Sequence, residues 1–432
     1  MHVTIPFTQD LVDSFGSRYV LYSLYLEGFL FCKVRYSDLH KWNEKLRRQF
    51  GKSVPPFPRK FYLAMTNSMA EERRFQLERY LQSVGANPII SSSELFVCYF
   101  KNLQMDTFGI EEQKANLDIY LPNGRKIRID VQTSDSAERV LEIVAHKLDL
   151  HRELTGYFSV FVLQHHSTVL KRVVDFELPY VTLHGMNNGS LTLEVRKWYM
   201  DPSLDKVLFD SPASVTLLYL QALQEIDRRW ARPTNEQLGK LESLEKSGNY
   251  TKFLELMQDV QQYGCIQLDL CTMDHPEPDC EVLVSVGNGE LHCCVKLSNN
   301  TTKDIAFKVN MIRCWQVTFL GADLEDRKPP DDQKLELRFE YNAAGTWKWI
   351  VIYTKQAFLL SSCLKKMFSE ELLKHTKDSL EMQIEVPDFT KARTSSKSHR
   401  LVVPFGKSTE RSKISPRSNI NGPFPEITEE DL

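Results

Sequence analysis

The sequence predicts a mixed α+β protein of several domains ending in an unfolded tail. At 432 residues it is too long for one hydrophobic core, and 42% hydrophobic with 26% charged residues is ordinary globular composition. Apolar residues alternate with period two in two separate regions, around Pro122-Asn123-Gly124-Arg125 and from Cys265 to Tyr353, while residues 200–264 between them show only helical spacing. From about Asp378 the periodicity fades, and between Phe389 and Ile420 the chain is rich in Ser, Lys and Arg with almost no acidic residues.

Residues 1–108 carry the densest chemistry. Val34-Arg35-Tyr36-Ser37-Asp38-Leu39 is followed by Pro55-Pro56-Phe57-Pro58, Lys60 and Arg73. Arginine grips a phosphate through a planar fork, lysine supplies a compact charge for a second phosphate, and a tyrosine ring covers the apolar face of a sugar. The prolines fix the backbone ahead of Lys60. Leu77, Tyr80 and Leu81 recur at helical spacing, so Arg73 belongs to a helix whose other face is core. This region holds 14 Lys and Arg against 10 Asp and Glu, a balance of +4 that leaves −7 for the other 324 residues.

These residues resemble the phox-homology (PX) family of phosphoinositide readers, over residues 1 to about 108. The resemblance implies that Arg35 holds the 3-phosphate, Tyr36 stacks on the inositol ring, Lys60 meets the 1-phosphate and Arg73 bonds the 4- and 5-hydroxyls, with Arg74 the alternative to Arg73.

After a linker at 109–114, Leu117–Leu121 and Lys126–Val131 alternate around an Asn-Gly turn, a strong hairpin sign. A capped helix from Ser136 to Leu148 and strands at Phe158–Leu163 and Leu191–Val195 complete the order of a ubiquitin-like fold over 115–199. Residues 200–264 read as a helical module: Ser211-Pro212 starts one helix, Thr234-x-x-Gln237 is a capping box, and a third helix through Phe253 and Val260 is expected to stop at Gly264. Residues 265–375 read as seven strands, Ile266–Cys271, Val282–Val286, Leu291–Leu297, Ile305–Val309, Ile312–Phe319, Leu335–Tyr341 and Trp347–Tyr353, closed by a helix from Gln356 to Lys374. Seven strands and one closing helix describe a pleckstrin-homology or phosphotyrosine-binding (PTB) roll.

Ubiquitin-like lobe, helical lobe and roll follow the FERM order (F1, F2, F3), and with the N-terminal domain the chain resembles the PX-FERM sorting nexins. One member of that subfamily carries a PDZ domain in front; this chain starts at the phox-homology domain, which points to the others. The resemblance places a groove for receptor-tail peptides with Asn-Pro-x-Tyr or Asn-x-x-Tyr motifs beside the fifth strand of the roll, where Trp315 is expected to wall the peptide, facing Met367 and Phe368 on the closing helix. Such a peptide adds to a strand edge by main-chain hydrogen bonds. The tail, residues 376–432, ends in Glu426-Ile-Thr-Glu-Glu-Asp-Leu432. This resembles the C-terminus by which a subfamily member engages the retriever recycling complex, and implies that Leu432 anchors it with Asp431 and Glu430 beside it.

Catalysis has no visible residues. There is no phosphate loop, no His-Glu-x-x-His helix and no Gly-x-Ser-x-Gly elbow, and His375-Thr-Lys377, which begins like a phospholipase D motif, has Met382 at the aspartate position. No cofactor or metal is expected; His165-His166 reads as a surface pair. Nine cysteines without a Cys-x-x-Cys pair read as reduced thiols, and four glycosylation sequons as chance matches. No apolar run reaches 18 residues, so membrane contact is expected to be peripheral, on the cytoplasmic face of early endosomes. Two functions stand: an endosomal cargo adaptor that reads phosphatidylinositol 3-phosphate and receptor tails, or a lipid-localised signalling scaffold whose F1 lobe meets a Ras-type GTPase through Arg125, Lys126 and Arg128. Nucleic acid is not an expected partner.

Overall fold

The computed structural model describes residues 2–60, 67–186, 191–320, 334–378 and 400–404. The N-terminal domain is a three-stranded antiparallel sheet, β1 (Val3–Val12), β2 (Arg18–Leu26) and β3 (Phe29–Arg35), covered by α1 (Tyr36–Phe50), α2 (Asn67–Ala86), α3 (Pro88–Ser91) and α4 (Glu94–Phe108). Its core gathers Ile5, Tyr22, Leu24, Leu39, Trp42 and Leu46 with Leu77, Tyr80 and Leu81 of α2, the helical face expected from spacing. Trp42 stacks on Tyr99 with ring centroids 4.7 Å apart.

A bulge in β1 fixes how α2 lies. The β1–β2 register shifts between Thr4 and Phe7, which leaves backbone groups of Ile5 outside the ladder. Helix α2 satisfies them: Ile5 N donates to Glu78 Oε2 at 2.8 Å, and Arg74 Nη1 donates to Ile5 O at 2.6 Å. Burial raises the Glu78 carboxyl, opposed by its bond from Ile5 and by Arg74.

The second unit orders β4 (Lys114–Tyr120), β5 (Lys126–Gln132), α5 (Ala137–Lys147), β6 (Phe158–Gln164), β7 (Thr168–Arg172), α6 (Pro179–Gly185) and β8 (Leu191–Lys197) into a sheet β5-β4-β8-β6-β7, with β4 and β8 parallel. Gly124 adopts φ +78 in the hairpin turn, and Ser136 caps α5 by accepting from Arg139 N. The helical lobe holds α7 (Pro212–Asp227), α8 (Asn235–Lys246) and α9 (Tyr250–Met257). Both arms of the Thr234–Gln237 capping box are formed. Helix α9 ends at Met257 with Gln258 as its cap, not at Gly264. The left-handed turn at Gly264 (φ +73) lies beyond it and leads into the roll, its N–H held by the Glu225 carboxylate.

The roll comprises β9 (Ile266–Gln267), β10 (Cys271–Met273), β11 (Cys280–Gly287), β12 (Glu290–Lys296), β13 (Thr302–Lys308), β14 (Ile312–Leu320), β15 (Lys334–Ala343) and β16 (Thr346–Tyr353), closed by α10 (Ala357–Asp378). The expected first strand is split because Asp269 N donates to Gln356 Oε1 instead of continuing the ladder, and both halves pair with β11. A further strand, β17 (Arg400–Pro404), extends the sheet beyond β14. Cys293 is fully buried and Cys294 half-exposed, as neighbours on one strand must be.

The units share cores. Phe161, Leu163 and Val169 of the ubiquitin-like lobe belong to the roll's core, and that lobe and the helical lobe form one cluster. The N-terminal domain docks on both: Phe176 packs 5.8 Å from Phe31, and the β2–β3 turn meets α10 so closely that a Cβ on Gly28 would lie 2.7 Å from Phe358.

Candidate functional site

The basic notch forms where β3 runs into α1. Arg35, the N-cap of α1, lays its guanidinium on the Tyr19 ring, 3.4 Å from the centroid, and is half-buried there. Tyr36, the first residue of the helix, donates from its hydroxyl to Pro58 O at 2.8 Å, and Phe57 packs between Tyr36 and Tyr80. The proline turn is thereby tied to Tyr36, and the exposed Lys60 lies two residues past Pro58.

The two arginines of α2 part company. Arg74 is buried and bonded to Glu71, Ile5 O and Glu78, so it props the β1 bulge. Arg73, also buried, lays its guanidinium 4.7 Å from the Tyr36 centroid. Arg73 thus meets Tyr36, Arg35 precedes Tyr36 in the chain, and Lys60 follows the Pro58 carbonyl that Tyr36 holds. One expectation shifts: Arg73 covers a face of the Tyr36 ring that stacking on a sugar would use.

The groove residues are placed differently from expectation. Trp315 is fully buried: it stacks on Phe368 (5.2 Å between centroids, 19° between planes), and its Nε1 donates to Ser361 Oγ at 2.7 Å. Met367 is buried in the same cluster, and Phe368 is partly buried against it. Strand alternation turns Trp315 toward α10, so it is core rather than a wall offered to a ligand. What β14 does offer is its edge. On one side it pairs with β15; on the other, Cys314 to Thr318 pair antiparallel with Pro404 to Arg400 of the chain's own tail segment.

Four family models match consecutive parts of the chain: the PX domain at 29–103, the F1 lobe of the FERM domain of sorting nexins 17/27/31 at 115–200, the F2 lobe of sorting nexins 17/31 at 201–261, and the sorting nexin 17 FERM C-terminal domain at 264–372. Sorting nexin-31 of Homo sapiens is 53% identical over 399 residues, 91% of each chain. Sorting nexin-31 of Xenopus tropicalis is 48% identical, over 89% of this chain and 91% of its own length. Sorting nexin-17 of Danio rerio is 38% identical, over 89% and 84%. The chain belongs to the PX-FERM sorting nexins.

A sorting nexin of this kind is a membrane-trafficking adaptor and not an enzyme. Sorting nexins are peripheral membrane proteins of endosomes, and among the described residues no helix is long and apolar enough to cross a bilayer. Among the F1 cations, Lys126 and Arg128 both pair with Asp118 across the hairpin, at 3.1 and 2.9 Å. Arg125 stands exposed in the turn. Glu430, Asp431 and Leu432 lie outside the described residues. Sequence reasoning missed Tyr19 as the platform of Arg35 and the strand Arg400–Pro404 as the partner of β14. The short apolar run Leu401-Val402-Val403 inside a polar tail was the available signal for the latter.

Proposed function

We propose that this sorting nexin is an endosomal cargo adaptor that binds phosphatidylinositol 3-phosphate at Arg35, Tyr36, Lys60 and Arg73, takes Asn-Pro-x-Tyr or Asn-x-x-Tyr peptides of receptor tails at the roll, and passes the receptors to recycling. The observation that carries the cargo half is the β14 edge, because it already accepts an extended antiparallel segment, Arg400–Pro404. A receptor peptide would add there by the same main-chain bonds, with its alternate side chains lodging between β14 and α10. Main-chain pairing accounts for affinity without an exposed Trp315.

The lipid half rests on the gathering of cations around Tyr36. A planar guanidinium on an aromatic platform at Arg35, a second at Arg73 and a point charge at Lys60 suit a monophosphorylated inositol headgroup. Each contact alone is weak. A micromolar affinity corresponds to about 8 kcal/mol, and joining headgroup and tail on one membrane raises occupancy through effective concentration. Cargo is then held where lipid and tail occur together. The C-terminal Glu430-Asp431-Leu432 would contact the retriever recycling complex.

Calorimetry of the full chain against an Asn-Pro-x-Tyr peptide and against a GTP-loaded Ras-type protein separates this reading from the signalling scaffold. Peptide binding without GTPase binding supports the adaptor; GTPase binding alone overturns it. The pairing of Lys126 and Arg128 with Asp118 favours the adaptor, since two of the three cations the scaffold reading invokes are already engaged.

A further inference from the structure

Strand β13 ends the roll's sheet at the side opposite β14 and β17, and its outer edge is open. Elsewhere the structure closes its edges. Val3 N and Ile5 N of β1 donate to Gln82 and Glu78, each at 2.8 Å, and Lys33 N of β3 donates to Thr107 Oγ1. In the ubiquitin-like sheet, Lys147 Nζ donates to Arg128 O of β5 at 2.6 Å, and Gln356 Nε2 to Val169 O of β7 at 2.7 Å. The β14 edge holds Arg400–Pro404. Strand β13 pairs with β12 along its whole length in unbroken register, without a bulge or a proline. Among the described residues, no group meets a backbone N–H or C=O on its other side. A straight, uncovered edge is a template for another strand.

The charges along β13 select which strand. Asp304, Ala306 and Lys308 face outward and are exposed, while Phe307 is buried and Ile305 half-buried. Backbone groups point to alternate sides along a strand, so a strand that pairs antiparallel with its own copy sets each residue against one of like parity. Centring the pairing on Lys303, Asp304 or Lys308 puts like charges opposite each other, and centring it on Ile305 or Phe307 pairs no opposite charges. Centring on Ala306 does pair them: Asp304 meets Lys308 of the second copy, Lys308 meets its Asp304, and Ile305 meets its Phe307. Opposite charges directly across a strand pair attract, and like charges repel.

We propose that β13 is a self-association edge, at which two copies of this chain pair over Asp304–Lys308 about a two-fold axis at Ala306. The two rolls then share one continuous sheet, through an interface in which the same patch serves both copies. This requires neither the lipid nor the peptide reading, and it leaves the β14 edge of both copies untouched. So short a contact is weak alone. For a peripheral membrane protein, its effect is to link two membrane attachments and lengthen residence.

The test uses the full chain, with an unchanged Tm as the check on folding of each variant. Ala306→Cys places two thiols across the axis, where opposed Cα atoms about 4.5–5.5 Å apart suit a disulfide. Oxidation with copper phenanthroline should link Ala306→Cys into dimers faster than Glu236→Cys on α8, and faster than the wild type, whose exposed Cys98 sets the background. In sedimentation, the wild type should dimerise as its concentration rises. Asp304→Lys should weaken that dimer about tenfold by turning two attractions into two repulsions, and adding Lys308→Asp should restore it. Asp304 also lies 4.0 Å from His292 Nε2, so the restored double variant, rather than the single one, separates pairing from local damage. Ala306→Cys that links no faster than Glu236→Cys overturns the proposal, as does a double variant that associates no better than Asp304→Lys. A wild type that sediments as a monomer at every concentration gives the edge to a strand of another protein and also overturns it.

Discussion

At the scale of single side chains, two adjacent arginines on α2 serve different ends, and only their partners tell them apart. Arg74 satisfies a backbone carbonyl that the β1 bulge leaves outside the ladder; Arg73, one residue away and about 100° around the helix, reaches Tyr36. The sequence shows Arg-Arg and nothing to rank them, because the bulge that selects Arg74 depends on pairing between distant residues. Arg35 stood out in the sequence but its platform, Tyr19, did not, since cross-strand neighbours are invisible without the register. Arg35→Ala should lose only a half-buried cation–π contact in the fold, on the order of 1 kcal/mol, yet reduce flotation on phosphatidylinositol 3-phosphate vesicles tenfold or more, because a charge-assisted contact of about 1.5–3 kcal/mol is gone. Unchanged flotation would remove the notch from lipid binding. Trp315 behaves in the opposite sense. Its burial and its bond to Ser361 make Trp315→Ala a core deletion costing about 3–5 kcal/mol; chemical denaturation should show this, and a variant of wild-type stability would place the ring elsewhere.

At the scale of elements, periodicity located the strands and helices well where each faces one core, and erred where a tertiary bond interrupts a run. The first roll strand breaks at Asp269 because Gln356, nearly ninety residues later, takes its N–H; α9 stops short of Gly264 because that glycine serves the turn held by Glu225. Strand β17 escaped for a different reason: five residues pair only because β14 presents an edge, and no local propensity announces it. The pairing has a functional consequence, since β17 occupies the edge assigned to receptor peptides. A tethered occupant lowers apparent peptide affinity in proportion to the fraction of molecules it fills. A chain ending at Asp378 should therefore bind an Asn-Pro-x-Tyr peptide more tightly than the full chain, by about threefold or more, in paired calorimetric titrations. Equal affinities would mean that the peptide and Arg400–Pro404 use different edges.

At the scale of the molecule, the PX domain and the roll are joined by a buried polar junction rather than a loose linker. His2 Nε2 meets Ser361 Oγ at 2.7 Å, the same oxygen that accepts from Trp315, while Glu27 accepts from His2 N at 3.0 Å and from Ser362 Oγ at 2.8 Å. Phe358 flanks the His2 ring, and Lys365 lies 3.5 Å from its Nδ1. One contiguous chain of contacts therefore runs from the first strand of the N-terminal domain to the strand that carries the peptide edge. Its titration has a definite sign. Burial, with the Lys365 charge, holds His2 well below its usual 6.5, so below pH 6.5 the unfolded chain binds a proton that the folded one refuses. Stability from this site is level above pH 6.5 and falls below it, by up to about 1.4 kcal/mol per pH unit. Glu27 titrates lower: burial raises it, but nearby positive charge, Lys365 included, and the Ser362 bond hold it at about 2, so its contribution is intact above about pH 4.5 and is lost only as pH falls toward 2. Between pH 6.5 and 4.5, then, His2 rather than Glu27 loosens the junction. Thermal melts at pH 7.5 and 5.0 should show a larger drop in Tm for the wild type than for His2→Gln, which keeps a hydrogen-bonding group at the site but cannot titrate. Identical drops would mean that the junction does not respond to acid, and that lipid and peptide sites are joined by packing alone.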